Sequence, residues 1–441
     1  MAAELANKSA PLRVAVIGAG PGGLVLAQLL RHDERFQVTV YERGTLQGNG
    51  VSLVGFRILL ASAVLDTLRL RLQPDVRDLV DRAVGTPHRQ GNRVAFTDET
   101  LHVKCRLDVE ISRTLNSVSR WRLRKALLSG HEEFLQFGRT YTSYEENGEG
   151  VKVNFADGET VHCDVLVGAD GAGSRIRKQL LPNSTRSDSG VTVLYFKAPF
   201  TPETEAMLPW VSGSMTVVPR RSMVVAYYKN AEKPYGPYNL ETIDPDDSFL
   251  MIGMGCYTNE FINQSKHPDE MTPEELKDEC IARARGWHPL LQSILAIIIP
   301  RTVYISHIKT QDQIEPWQTG RVTILGDAAH SMTPYLGKGA TNAIVDGMAL
   351  AEALKQAEDN KEVVPRLAEY EASMLRRGFA AAKESMLVHH LVFAAGSTPW
   401  RAWFRNIFLY MWDFFTSHPP TPKDDPFPVS YSDKKEQRAL V

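Results

Sequence analysis

Cysteine is scarce: the 441 residues hold four, Cys105, Cys163, Cys256 and Cys280, with no C-x-x-C pair among them. This excludes a disulfide scaffold, a thiolate zinc site and a redox-active dithiol, and suits a reducing, cytoplasmic setting. An excess of one charge is lacking too, since 50 Lys and Arg stand against 52 Asp and Glu for a net charge of −2. Such balance offers no electrostatic case for nucleic acid or an anionic membrane. Long apolar runs are missing: the N-terminal MAAELANKSAPLR shows no signal-like apolar core, and residues 391–415 are interrupted by Pro399, Arg401 and Arg405. No transmembrane segment is therefore expected. The aromatic and basic mixture of 391–415 leaves two readings, a weak interfacial membrane contact or a helix packed on the protein body or a second subunit.

What is present is glycine in particular places. Residues 12–43 read strand, glycine turn, helix, strand, with Gly18, Gly20 and Gly23 in G-x-G-x-x-G directly after the apolar Val14 to Ile17. Gly18 permits the tight turn, Gly20 admits a pyrophosphate, and Gly23 lets helix and strand pack closely. Glu42 closes the second strand, placed to bind both ribose hydroxyls of an adenosine, with Arg43 beside it. No second such triplet occurs, so no independent domain for a nicotinamide cofactor is expected.

Residues 321–354, RVTILGDAAHSMTPYLGKGATNAIVDGMALAEAL, read as a short strand, an acidic turn at Asp327, a glycine-bearing loop and a long small-residue helix. The loop from Pro334 through Gly337 to Gly339 lets backbone approach a planar ligand, and a helix starting near Ala340 and Thr341 points free N–H groups at it. Such a terminus favours the negative charge of a reduced flavin, while Asp327 would accept a hydrogen bond from a ribityl chain. Between these segments, residues 161–180 give a buried strand at Val165 to Val167, a turn at Asp170, and Ser174, Arg175 and Arg177 at a helix start. The arginines would meet a pyrophosphate or a nicotinamide cofactor, or lie on a solvated helix surface.

GAGPGG with Glu42, GADGAGSRIR and GDAAHSMTPYLGKGATNAIVDGMAL together resemble the single-component FAD-dependent aromatic hydroxylases, the flavoprotein monooxygenases that include para-hydroxybenzoate hydroxylase, salicylate hydroxylase and the tetracycline-inactivating enzymes. The likeness spans roughly residues 12 to 385. It implies FAD, reduction by NADPH or NADH as a transient co-substrate, and a C4a-hydroperoxide that passes one oxygen atom of O₂ to an aromatic or alkene-bearing organic molecule. It does not imply which molecule. Carried over by position, Glu42 matches the adenosine-ribose acid, Asp327 the ribityl acid, and Gly339, Ala340 and Asn342 the start of the helix beside the ring system. SRWRLRKALL, residues 119–128, is similar to the helix whose arginine reaches FAD, with Arg120 the better match and Arg124 one turn on. One departure is the short GTLQGNGVSL after Arg43, where Gly48 or Gly50 would fill the usual glycine role.

The expected architecture is α/β: a Rossmann-like FAD domain built discontinuously from 1–185 and 314–358, a β-sheet substrate domain at 186–313, helices at 359–416 and an extended tail at 417–441. Alternating runs at 222–230 and 249–257 suggest strands of a sheet covering the flavin, and TPEELKDECIARARG a helix with a Thr-x-x-Glu capping box. Tyr227, in phase with Met223 and Val225, is the candidate to face the pocket and orient substrate, against the alternative of a packed core tyrosine. His330 reads as structural, since no acid partner is visible near it in sequence. The W-x-W-x-I-P segment of flavin-dependent halogenases is absent. A flavin-dependent reductase of an unsaturated substrate and a non-catalytic flavin-binding sensor are the rival functions. The oligomeric expectation is a monomer or homodimer.

Overall fold

The glycine turn and the Asp327 segment, about 300 residues apart, meet at the carboxyl ends of a five-stranded parallel sheet. The computed structural model describes residues 10–45, 56–87, 94–107, 115–208, 213–236, 244, 246–393 and 400–401. Gly48, Gly50 and the 417–441 stretch lie outside the described residues. The parallel sheet has the order β17 (Val322–Ile324), β11 (Val165–Gly168), β1 (Leu12–Ile17), β2 (Phe36–Glu42) and β7 (Leu135–Phe137). Residues 14–17 of β1 and 165–167 of β11 are continuous apolar runs, and β17 is buried throughout with Thr323 between two apolar residues, because helices and loops bury both faces of a parallel sheet. Chain order runs outward from β1 to β2 on one side and returns to β11 on the other. The carboxyl ends beside that reversal are where an open α/β sheet forms a ligand crevice.

A seven-stranded sheet covers this crevice, ordered β16 (Ile299–Gln311), β12 (Arg186–Pro199), β15 (Phe249–Tyr257), β14 (Arg221–Tyr228), β13 (Gly213–Val218), β4 (Val94–Thr97) and β5 (Val103–Leu107). β14 and β15 fall where the alternating runs predicted them. β4 and β5 come from the 1–185 stretch yet pair into this sheet, so it draws strands from both sides of residue 186. One face carries Leu194, Phe196, Met223, Val225, Ile252 and Met254, buried beneath the helices Pro273–Arg283 and Pro289–Ala296. The first of these helices has the expected capping box: Glu275 N–H donates to Thr272 Oγ1 at 3.2 Å and Thr272 N–H to Glu275 Oε2 at 2.8 Å.

Two smaller sheets complete the strands: β8 (Tyr141–Asn147), β9 (Gly150–Phe155) and β10 (Thr160–Cys163), and the ribbon of β3 (Arg57–Ala61) with β6 (Leu115–Ser119). The Val363–Val392 helix packs along the Lys338–Lys355 helix and delivers Phe393 to the seven-stranded sheet. Among the described residues no helix is long and apolar enough to cross a membrane.

Candidate active site

Each carboxyl end of the parallel sheet contributes one group to a single cleft of about 710 Å³. At the end of β1, Gly18 adopts φ +111°, and a Cβ there would strike the Ala169 carbonyl, so only glycine fits. Gly20 lines the cleft and caps the Pro21–Leu30 helix without any side-chain bond to its first N–H groups. Gly23 is buried behind, where a Cβ would lie 2.5 Å from the Gly18 carbonyl; it is the packing glycine the spacing predicted. At the end of β2, Glu42 accepts from Ala19 N–H at 2.8 Å and Gly44 N–H at 2.7 Å. Both carboxylate oxygens keep a second acceptor site, so the acid locks the turn and still offers capacity to a ligand.

Arg43 lies exposed on the cleft lining, and Arg120 and Arg124 both reach it from the Arg120–Leu127 helix. Burial lowers the Arg124 pKa, with Glu42 opposing the shift. Asp170 follows β11. Its Oδ2 accepts from Arg175 N–H at 2.7 Å, while Oδ1 is buried with no partner among the described groups. Arg175 lines the cleft. Arg177, in contrast, is buried and donates to the carbonyls of Ala328 and Ala172 at 2.8 and 3.0 Å, tying two cleft loops together.

Asp327, after β17, closes the cleft floor. The loop beyond it forms a turn at Pro334–Leu336, passes Gly337 at φ +63°, and enters the Lys338–Lys355 helix, which starts two residues before the expected Ala340. Gly339, Ala340 and Thr341 thus occupy the first turn, and no side chain caps it. A Cβ on Gly339 would lie 3.6 Å from Asp327 Oδ1, so the carboxylate stands beside that turn. Asn342 donates to the Lys338 carbonyl at 2.9 Å and leaves a buried Oδ1 unpartnered. His330 does have an acid partner, contrary to the sequence reading: Asp346, on the same helix as Asn342, 2.7 Å away.

The flavin-loop side of the seven-stranded sheet is the face of Val193, Tyr195, Ser222, Val224, Gly253 and Gly255, onto which Tyr335 and Phe393 pack. A Cβ at Gly253 would come within 2.9 Å of the Tyr195 ring, so the glycine makes room for that ring. Phe56 lies 5.5 Å from Tyr195 and 6.4 Å from Tyr304 between ring centroids, and Phe56 and Tyr304 line the cleft. Tyr227 is on the other face. Its phase with Met223 and Val225 holds, but that phase points into the helix-covered core, where its ring stacks on Phe200 at 5.0 Å and burial pushes its pKa up to about 12. Tyr227 is therefore the packed core tyrosine that stood as the alternative, and Tyr195 lies on the flavin-loop face beside Phe56. Sequence could not choose, because both faces are largely apolar.

The residues fit FAD: an open glycine cradle, uncapped helix starts, an unpartnered Asp170 oxygen and basic walls offer pyrophosphate, ribose and ring contacts. Comparison with known proteins agrees. The FAD binding domain family matches residues 11–385. The 6-hydroxynicotinate 3-monooxygenase of Pseudomonas fluorescens is 29% identical over 372 residues, 83% of this chain and 88% of that protein. The FAD-dependent urate hydroxylase of Mycolicibacterium vanbaalenii is 27% identical over 377 residues, 83% of this chain and 85% of that protein. A crystal structure of a protein from Photorhabdus luminescens subsp. laumondii TTO1 superposes with a TM-score of 0.75 at 27% identity, covering 88% of this chain and all of that one. With a family match across most of its length and the cleft to receive the cofactor, this chain belongs to the FAD binding domain family.

Proposed function

We propose that this chain is an FAD-dependent monooxygenase that uses NAD(P)H and O₂ to place one oxygen atom on an electron-rich aromatic substrate held between the Gly253 face of the large sheet and the Gly337 loop. The observation that carries the reading is continuity: the cleft that begins at Gly18 and Glu42 ends at Phe56 and Tyr304, beside Tyr195. Bound FAD supplies the oxygen activation; the chain binds it, orients the substrate and excludes water. Glu42 and Asp327 hold ribose and ribityl hydroxyls, Arg43, Arg120 or Arg124 and the Gly20 turn the pyrophosphate, Asp170 a further polar group. Pro334, Gly337, Gly339, Ala340 and Asn342 frame the ring system. Three aromatic side chains, Phe56, Tyr195 and Tyr304, form a wall suited to a planar ring.

Arg57 refines the substrate. It shares a face of β3 with Leu59, which packs on Gly337, while Ile58 and Leu60 of the opposite face enter the apolar core. Its guanidinium makes two long hydrogen bonds, to Ser117 Oγ at 3.4 Å and the Tyr227 carbonyl at 3.5 Å, and pairs with no carboxylate among the described residues. Burial lowers its pKa to about 10. A half-buried cation with no counter-ion among the described residues is costly, and a carboxylate or phenolate on the substrate would supply one. The buried free thiols of Cys163, Cys256 and Cys280 suit a reducing, cytoplasmic setting, and the chain is read as a monomer or homodimer. The test is an FAD titration followed by NAD(P)H oxidation with a panel including 6-hydroxynicotinate, urate, hydroxybenzoates and neutral phenols. Stoichiometric flavin binding with stimulation by a panel member supports the reading; flavin binding with no oxidation stimulated by any substrate would favour the sensor, and alkene reduction without oxygen uptake the reductase.

A further inference from the structure

On the helix-covered side of the large sheet, away from the cleft, folding gathers His267, which caps the Pro268–Glu270 turn, and Asp269 within it, with His307 of β16. One donor atom of each lies within 4.8 Å of the others. His307 Nε2 stands 3.0 and 3.1 Å from the two Asp269 oxygens, and His267 Nδ1 is 3.3 Å from Oδ2. These are the edge lengths of a coordination polyhedron: two ligands each ~2.0–2.1 Å from a zinc-class ion, at tetrahedral or octahedral angles, sit ~2.9–3.4 Å apart. We propose that His267, Asp269 and His307 bind a divalent transition-metal ion of the zinc class.

A second observation concerns the other ring nitrogen. His307 Nδ1 is 2.9 Å from Thr192 Oγ1, which is 2.7 Å from Thr258 Oγ1, and the Thr258 hydroxyl donates to the Gly190 carbonyl at 3.1 Å. With that proton spent on Gly190, Thr192 donates to Thr258 and accepts from Nδ1–H. With Nδ1–H committed to Thr192, His307 Nε2 meets the Asp269 carboxylate as the N–H of an imidazolium or, once that proton is displaced, as a lone pair free to ligate a metal ion. An imidazole held through its far nitrogen is the usual support of a metal-bound histidine. The opposite run of hydroxyl protons puts hydrogen on Nε2, makes the His307–Asp269 contact an ordinary hydrogen bond and leaves no role for an ion. His267 Nδ1 would exchange only the weak Asp269 N–H contact at 3.4 Å.

Two imidazoles and one carboxylate select zinc-class ions over calcium or magnesium, which prefer all-oxygen sets. His267 and Asp269 are exposed and His307 half-buried, so an ion enters from solvent and water completes its shell. Bound there, it would clip the 268–270 turn onto β16, which is an edge of the seven-stranded sheet. The experiment titrates Zn²⁺ into EDTA-treated, FAD-loaded protein by calorimetry, with a parallel thermal melt. The expected result is one saturable equivalent and a raised melting temperature, with affinity reduced about tenfold or more in His307→Ala and in Asp269→Asn. Thr192→Val is expected to weaken binding by a smaller factor, and His102→Ala, at a separate surface histidine beside Asp98, to leave it unchanged. The flavin spectrum stays constant throughout. No saturable binding, or binding that survives in both His307→Ala and Asp269→Asn, would overturn the proposal without touching the flavin assignment.

Discussion

Asp346 and His330 form a fully buried pair, Oδ2 to Nε2 at 2.7 Å. Arg377 of the Val363–Val392 helix reaches Oδ1 at 2.6 Å, and Gly326 N–H donates to Oδ2 at 2.8 Å. One carboxylate therefore ties the turn before Asp327 to the helix after the Gly337 loop and to the long C-terminal helix. Burial alone would lower the His330 pKa, but Asp346 outweighs it and raises it. For Asp346 burial would raise the value, and His330 with Arg377 lowers it.

Replacing Asp346 with Asn leaves a buried imidazole and a partly exposed guanidinium without their anion, and should cost about 3 kcal/mol of stability and loosen FAD retention. Denaturant melts with flavin release as a second readout check this. The signs of linkage are definite: the His330 contribution is complete below its unfolded value of 6.5 and lost as pH rises through the raised folded value. That of Asp346 is present above 3.8 and lost as pH falls through its lowered value. Asp346→Asn should flatten both limbs.

Glu371, also buried, titrates in the opposite sense. Burial raises its pKa from 4.5 to about 7, against the hydrogen bond from Thr319 at 2.5 Å. Between those values the folded state holds a proton that the unfolded state has lost, so stability falls as pH rises through that window, by at most about 3 kcal/mol. Glu371→Gln should remove this slope, read as the difference between wild-type and variant melting temperatures from pH 4.5 to 7.5. An unchanged slope would mean that Glu371 ionises freely.

Glu42→Gln keeps the side-chain shape but replaces one acceptor oxygen with an NH2 that cannot accept, so one of the Ala19 N–H and Gly44 N–H bonds is lost. FAD affinity should fall about tenfold or more, since hydrogen bonds to a charged acceptor are worth ~1.5–3 kcal/mol each. Fluorescence titration of FAD measures it.

Tyr195→Ala and Tyr227→Phe separate the two faces of the large sheet. The first should raise KM for an aromatic substrate by about tenfold by opening the ring wall, with FAD affinity kept. The second should leave KM and kcat near wild type. The reverse result would restore Tyr227 to the pocket.

Arg57→Met should raise KM for carboxylate- or phenolate-bearing substrates by about tenfold or more while leaving neutral aromatics nearly unaffected. A carboxylate without a phenol and a phenol without a carboxylate, tested separately, show which anion Arg57 receives. Equal loss on charged and neutral substrates would assign Arg57 a purely structural part.

Motifs with fixed local geometry were legible in sequence: the Gly18 turn, Glu42 at the end of its strand, the Thr272 capping box and the short apolar strand at Val165 all depend on residues close together in the chain. The failures share one cause, long-range contact. Asp346 was invisible as the partner of His330 because sixteen residues separate them across the Gly337 loop. Tyr227 was assigned its phase correctly, yet which face met the flavin loop depended on the Pro273–Ala296 helices and on Phe393. Arg177 read like Arg175 until the fold showed the first bound to Ala328 and the second in the cleft. β4 and β5 joined a sheet whose other strands begin some 80 residues later.

Incubation of FAD-loaded protein and NAD(P)H with ¹⁸O₂ and a panel substrate that stimulates oxidation, followed by mass spectrometry of the product, tests the central claim most directly. The account predicts a product carrying one ¹⁸O atom, with the second atom in water. Oxygen consumed entirely to peroxide with the substrate unchanged, or a product whose added oxygen comes from solvent, would contradict it.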